Sequence, residues 1–230
     1  MSAHLKSGNA SFLTGTTAVL AVFATILGFI SAGDNVLGWD LSFAVWIQQW
    51  QGGLGESLYR VGDVLGTTSV AAAVIVVALV IALLKRHVQI SAFLLFVLVL
   101  RLLGIWLKPL FNSPRPTADH VRLLETYDGT GYPSGHSMTV AMVATVLVVV
   151  AWRYLQNTWL RCAITVAAVL AIILVGWSRI WSGAHWPSDV LGGWSFGIAL
   201  VLIAWMASEA IAAIPVLRRD TAAADATSSR

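Results

Sequence analysis

Residues 64–84 read VLGTTSVAAAVIVVALVIALL and, after Lys85-Arg86-His87, residues 88–107 read VQISAFLLFVLVLRLLGIWL. Each run matches the roughly 20 apolar residues that cross the hydrocarbon core of a bilayer as a helix. Arg101 is the only charge inside either. Four further runs of the same kind lie at 11–32, 137–154, 159–177 and 190–214. Lipid offers no hydrogen bonds to exposed backbone, so a spanning segment is a helix or part of a closed barrel. No ten-residue alternating segments occur, which excludes the barrel. The sequence therefore predicts an all-α integral membrane protein, a six-transmembrane-helix bundle. Between the first two spans, residues 40–51 carry Phe43, Trp46, Ile47 and Trp50 at helical spacing among polar residues, which predicts a short interfacial helix.

Composition supports this reading. The 230 residues hold 14 Lys+Arg and 11 Asp+Glu, so 11% are charged and 58% are apolar. A soluble domain carries about 25% charged residues. With a mean hydropathy of +0.80, a soluble globule, a disordered chain, a disulfide scaffold and a collagen-like fibre are all excluded. The net charge of +3 is modest and the cations are scattered, so no basic face for nucleic acid exists. One cysteine, Cys162, lies in an apolar stretch, where it is expected to pack as a small residue. The polar first ten residues precede a run without a small-x-small cleavage site, so that run is expected to be a retained span. No internal repeat is visible.

Orientation follows from the short loops. Lys85, Arg86, His87, Arg153, Arg161, Arg218 and Arg219 lie on one side, while the first loop holds Asp34, Asp40, Glu56 and Asp63 against Arg60. By the positive-inside rule both termini are cytoplasmic, as expected of a protein in a bacterial-type inner membrane. Loops 33–63, 108–136 and 178–189 then face outward. A single membrane domain is expected over 1–214, followed by a polar, disordered tail over 215–230.

The second and third of these loops concentrate polar groups. Lys108 and Arg115 stand seven apart around three prolines; Pro133-Ser134-Gly135-His136 opens the fourth span; Ser178-Arg179 precedes His185 and Asp189. Singly, each has an ordinary structural explanation: a snorkelling lysine, a loop charge, a helix cap. Together, three cations, a hydroxyl and helix-start N–H groups make a pocket for a multiply charged anion. Two histidines add a nucleophile and a proton donor. Asp189, four residues past His185, can hold one ring nitrogen and fix the tautomer.

These three groups resemble the signature motifs of the type-2 phosphatidic acid phosphatase superfamily, which also contains the vanadium haloperoxidases. The pattern is Lys, six residues, Arg-Pro; then Pro-Ser-Gly-His; then Ser-Arg, five residues, His, three residues, Asp. Every fixed letter is present, in order. The resemblance implies a catalytic set of His185 as nucleophile, forming a phosphohistidine, Asp189 as its orienting partner, and His136 as general acid. It implies that Lys108, Arg115, Ser134, Gly135 and Arg179 bind phosphate, and that neither a cofactor nor a metal is needed. It also implies a membrane lipid phosphatase, with undecaprenyl diphosphate as favoured substrate and phosphatidic acid, phosphatidylglycerol phosphate or lipid A phosphate as alternatives.

Other readings are weaker. The haloperoxidases are soluble. An intramembrane serine protease would want Gly-x-Ser-x-Gly, from which Gly131-Tyr-Pro-Ser-Gly departs. A lipid transporter explains the helices and the anion site but not two histidines with an orienting acid. Arg101, seven residues before Lys108, is expected to snorkel or pair within the bundle, or else to grip a second phosphate. Asp119, His120, Arg122, Glu125 and Asp128 read as solvated loop charge, and Glu209 as interfacial. Trp181 and Trp186 read as a lipid entrance or a belt anchor. Oligomeric state leaves no mark in the sequence.

Overall fold

The structure, a computed structural model, describes residues 2–33, 36–124 and 126–214, with the backbone alone for residues 2–9. Asp34, Glu125 and the tail expected from residue 215 lie outside the described residues. Among the described residues the regular structure is entirely helical: α1 (Ser2–Ser31), α2 (Gly38–Gln48), α3 (Gly53–Gly66), α4 (Thr68–Leu84), α5 (Val88–Leu103), a 3-10 turn (Gly104–Leu107), α6 (Lys108–Phe111), α7 (Gly135–Tyr154), α8 (Thr158–Trp181) and α9 (Pro187–Ala212).

Five segments are each long and apolar enough to cross a membrane: residues 10–31 in α1, residues 88–111 from α5 through α6, and helices α7, α8 and α9. The second expected span is different. Residues 64–66 finish α3, Thr67 is extended, and α4 starts at Thr68, so α3 and α4 meet the same test only as a pair bent by 46°. A Cβ on Gly66 would lie 2.8 Å from His136 Cδ2, so only a glycine lets α3 pass this close to α7. A helix is present there as α2, which starts two residues earlier than expected and ends three earlier, at Gln48 and before Trp50. Its Ala44 and Ile47 are buried, while Trp46 and Trp50 are exposed.

The innermost helix is α9. It packs against α1, α5 and α7, and 61% of its most apolar window is buried, against 17% for α1 and for α8. Phe93 and Val97 of α5, Met138 and Met142 of α7, and Phe196 and Trp205 of α9 form the main core. Apolar side chains gain nothing by leaving lipid for a neighbouring helix, so close association relies on small residues that let backbones approach. At the α7–α9 contact, a Cβ on Gly193 would stand 2.7 Å from the Ser134 carbonyl and one on Gly197 2.6 Å from the Met138 carbonyl. Outward-facing Val19, Ile26, Leu170 and Ile173 remain exposed, as a lipid-facing rim requires. Cys162 is also exposed, on rim helix α8, and does not pack in the core.

A second cluster closes one end of the bundle. There α2 meets the end of α8 and the start of α9 through Ala44, Ile47, Trp181, Trp186 and Val190. This corrects the expectation for the two tryptophans, which are 1% and 4% exposed. Trp181 is covered by the Arg122 guanidinium, 4.6 Å above its ring, and its Nε1 donates to the Trp50 carbonyl at 2.8 Å. The end of α5–α6, the start of α7, the end of α8 and the start of α9 all converge beside this cluster.

Candidate active site

The chain turns out of α8 through residues 182–186 and starts α9 at Pro187, a residue suited to the first helical position. Asp189 therefore falls in the first turn of α9, beneath His185. Its Oδ2 lies 3.1 Å from His185 Nδ1 and accepts the Trp186 N–H at 3.0 Å. On the other side of the ring, Arg115 Nη1 is 3.3 Å from His185 Nε2 and donates to the Ala184 carbonyl at 2.7 Å. These neighbours define the tautomer. A guanidinium has no acceptor, so Nε2 must present its lone pair; a neutral imidazole then carries its one hydrogen on Nδ1, facing Asp189 Oδ2. Burial, reinforced by Arg115, Lys108 and Arg179, holds the His185 imidazole well below its ordinary pKa and so neutral. Burial also pulls Arg115 down from its ordinary value, though an arginine stays charged.

Ser134 caps α7 in an extended conformation, its hydroxyl accepting the Ser137 N–H at 3.4 Å. Its own N–H donates to the Asp189 carbonyl at 3.0 Å, tying the start of α7 to the start of α9. Gly135 opens α7 with free space where a side chain would be. His136 follows in the first turn, its Nε2 3.6 Å from Asp63 Oδ1 of α3. Arg179, in the last turn of α8 and 1% exposed, donates to the same Asp63 oxygen at 2.6 Å. Lys108 Nζ donates to the Thr130 carbonyl at 3.2 Å. The Nε of Arg115 is buried without a partner, as is the Ser137 hydroxyl. The result is an imidazole lone pair among three cations, beside helix-start N–H groups and a second imidazole. Such a pocket can hold a phosphoryl group, accept it on nitrogen and exchange a proton with a departing oxygen.

The family model described as the PAP2 superfamily matches residues 89–211. The chain belongs to the PAP2 superfamily. Two curated relatives align over part of it: the undecaprenyl-diphosphatase of Sulfolobus acidocaldarius, 33% identical over 66 residues, and phosphatidylglycerophosphatase B of Bacillus subtilis, 35% identical over 105 residues. These stretches cover 29% and 45% of this chain, and only 28% and 50% of the relatives' own lengths. The crystal structure of the PAP2-type phosphatidylglycerolphosphate phosphatase from Bacillus subtilis superposes with a TM-score of 0.73 at 25% identity, covering 86% of this chain and 98% of that one. Aquifex aeolicus LpxE shares the fold, with a TM-score of 0.59 at 24% identity over 74% of this chain and 96% of its own.

All eight site residues expected from this PAP2 protein's sequence meet at one end of the bundle. Two acids read from the sequence only as loop charge join them. Asp63 bridges His136 and Arg179. Asp40 of α2 accepts the Ser188 N–H at 2.8 Å and the Ser188 hydroxyl at 2.7 Å, closing the N-terminus of α9. Burial raises Asp40 above its ordinary pKa, opposed by those two bonds. Neither acid belongs to a motif; acidic enrichment in the loop after the first span is their only signal. Arg101 bonds Thr139 and Thr68, realising the expected pairing within the bundle. Asp119 and Asp128 are exposed, as solvated loop charge should be, as is Glu209; Arg122 is exposed too, but its guanidinium lies over the Trp181 ring and its backbone bonds Gln48. His120 is exposed too, but bonds Thr117 and lies against the Trp186 ring. Among the described residues, no three of His, Cys, Asp and Glu gather as metal ligands would.

Proposed function

We propose that this PAP2 protein is an integral-membrane lipid phosphatase working through a phosphohistidine on His185. The observation that carries the reading is the held tautomer of His185: Nδ1 on Asp189 and Nε2 facing the cations. The phosphoryl group of the substrate binds among Lys108, Arg115, Arg179 and the N–H groups at the start of α7. Arg115 then turns from His185 Nε2 to a phosphoryl oxygen and frees the lone pair. Nε2 forms the N–P bond as the P–O bond to the leaving group breaks, and His136 gives its proton to the departing oxygen. Water next attacks the phosphohistidine, His136 takes its proton, and inorganic phosphate leaves. Asp63 holds Arg179 until phosphate replaces it, and its carboxylate stands 3.6 Å from His136 Nε2.

Counting the bent α3–α4 pair as one broken span gives six spans, both termini cytoplasmic, α2 in the membrane interface and the site on the outer side. The loop-charge asymmetry supports that orientation. Undecaprenyl diphosphate is the favoured substrate; a phosphatidylglycerol phosphate or phosphatidic acid phosphatase is the neighbouring possibility, and the names of the two curated relatives support both. Three fixed cations supply the charge that a metal would otherwise supply, so the reaction is proposed to be metal-independent.

The test is phosphate release by the detergent-purified protein in EDTA, with the three lipids offered in parallel. Expected are release from at least one lipid, a loss on the order of 10⁶-fold in His185→Ala, and acid-labile label trapped on the wild-type protein alone. Near-normal turnover in His185→Ala overturns the assignment.

A further inference from the structure

One turn below His136, α4, α5 and α7 leave a small groove of about 30 Å³ between them. Its walls include Ala71, Ile75, Leu98 and Met142, and its only charge is Arg101. The guanidinium is fixed at its mouth: Nε donates to Thr139 Oγ1 at 3.0 Å and Nη2 to Thr68 Oγ1 at 2.9 Å. Two of its five N–H groups are used, and three remain. Thr139 lies three residues, about 4.5 Å of helix rise, beyond His136. The order along α7 is thus the proton donor, the anchored cation, then the apolar groove.

We propose that Arg101 binds the proximal phosphate of a lipid diphosphate, the phosphate that stays with the lipid, and that this residue selects diphosphates over monoesters. The inference rests on the phosphatase reading and refines its substrate class. A cation inside a span is costly, and tying two threonines does not need one. In diphosphate cleavage, His185 Nε2 bonds the terminal phosphorus, and the bond from that phosphorus to the bridging oxygen breaks. The electron pair leaves on the bridging oxygen, so charge develops on the proximal phosphate. That leaving group is a weak base and depends less on the His136 proton than on a cation beside it. A monophosphate ester releases an alcohol instead, which depends on His136 and offers Arg101 no anion.

The experiment compares a polyprenyl diphosphate with the monophosphate of the same chain, so that tail binding cancels. Phosphate release is measured for the full-length protein and for Arg101→Ala, Arg101→Met and Arg101→Lys. Arg101→Ala is expected to lower the diphosphate-to-monophosphate ratio of kcat/KM by about 10–10²-fold, the scale of lost charged hydrogen bonds. Arg101→Lys should recover part of the ratio. Arg101→Met preserves packing should the alanine variant fold poorly. An unchanged ratio, with both substrates falling together or neither falling, makes Arg101 a structural tie and overturns the inference. Wild-type activity on the monophosphate alone also overturns it and leaves the phosphatase reading standing. No release from either lipid overturns the phosphatase reading and the inference together.

Discussion

His185 is 5% exposed and Asp189 fully enclosed, whereas the side chains of His136 and Asp63 keep 33% and 40% of their surface open. The first pair is 3.1 Å apart and its carboxylate oxygen accepts a backbone N–H as well. The second pair is 3.6 Å apart and shares its carboxylate oxygen with Arg179. A nucleophile gains from a tautomer set before the substrate arrives, because nothing has to reorganise during reaction. A proton donor must exchange its proton with a leaving group and then with water, which an enclosed imidazole could not do. Enclosure and openness thus fit the two histidines to the separate roles proposed for them.

The sharpest way to break this comparison is to vary the leaving group. His185→Ala should abolish turnover of alkyl and activated aryl phosphates alike, since both need the N–P bond. His136→Ala should cost about 10²–10⁴-fold on an alkyl phosphate and far less on an aryl phosphate that leaves without a proton. Equal losses on the two substrates would remove His136 from the acid role. A smaller effect tests the open pair. Asp63→Asn should lower kcat on alkyl phosphates by about 10–10²-fold, part of the general-acid contribution, without raising KM, because Arg179 is then free for phosphate. A rise in KM with kcat intact would make Asp63 a prop for Arg179 alone.

The same contrast separates what the sequence reveals from what it hides. His185 and Asp189 are four residues apart at a helix start, so local geometry joins them and the sequence displays the pair. Asp63 reaches Arg179 across 116 positions, and Asp40 reaches Ser188 across 148. Apolar runs mark which segments cross the bilayer, but not which helices become neighbours. The break at Thr67 had a faint signal, a glycine and two β-branched threonines at the start of an apolar run. Trp181 and Trp186 read alike whether a side chain meets lipid or protein; α2 and the loop through Arg122 decide, by covering them. Arg101 left two readings in the sequence, and its two threonine partners supply the pairing.

The smallest expected effect is a shift in pH dependence, and it bears on the closed pair. In the proposed mechanism His185 reacts as the neutral imidazole, so activity is present above its pKa and is lost as pH falls through it. Burial, then Arg115, Lys108 and Arg179, hold that pKa below the ordinary histidine value. The acid limb of kcat/KM due to His185 should therefore lie below about pH 6.5, the unperturbed value. Lys108→Ala removes one of those cations and should move the limb to higher pH, besides weakening phosphate binding. Asp189→Asn removes the carboxylate that favours the imidazolium, and should move it the other way. Profiles of the three proteins on one substrate cancel the ionisation of the substrate itself. A limb that stays in place in both variants would mean that solvent, and not the enclosed charges, sets the protonation of His185.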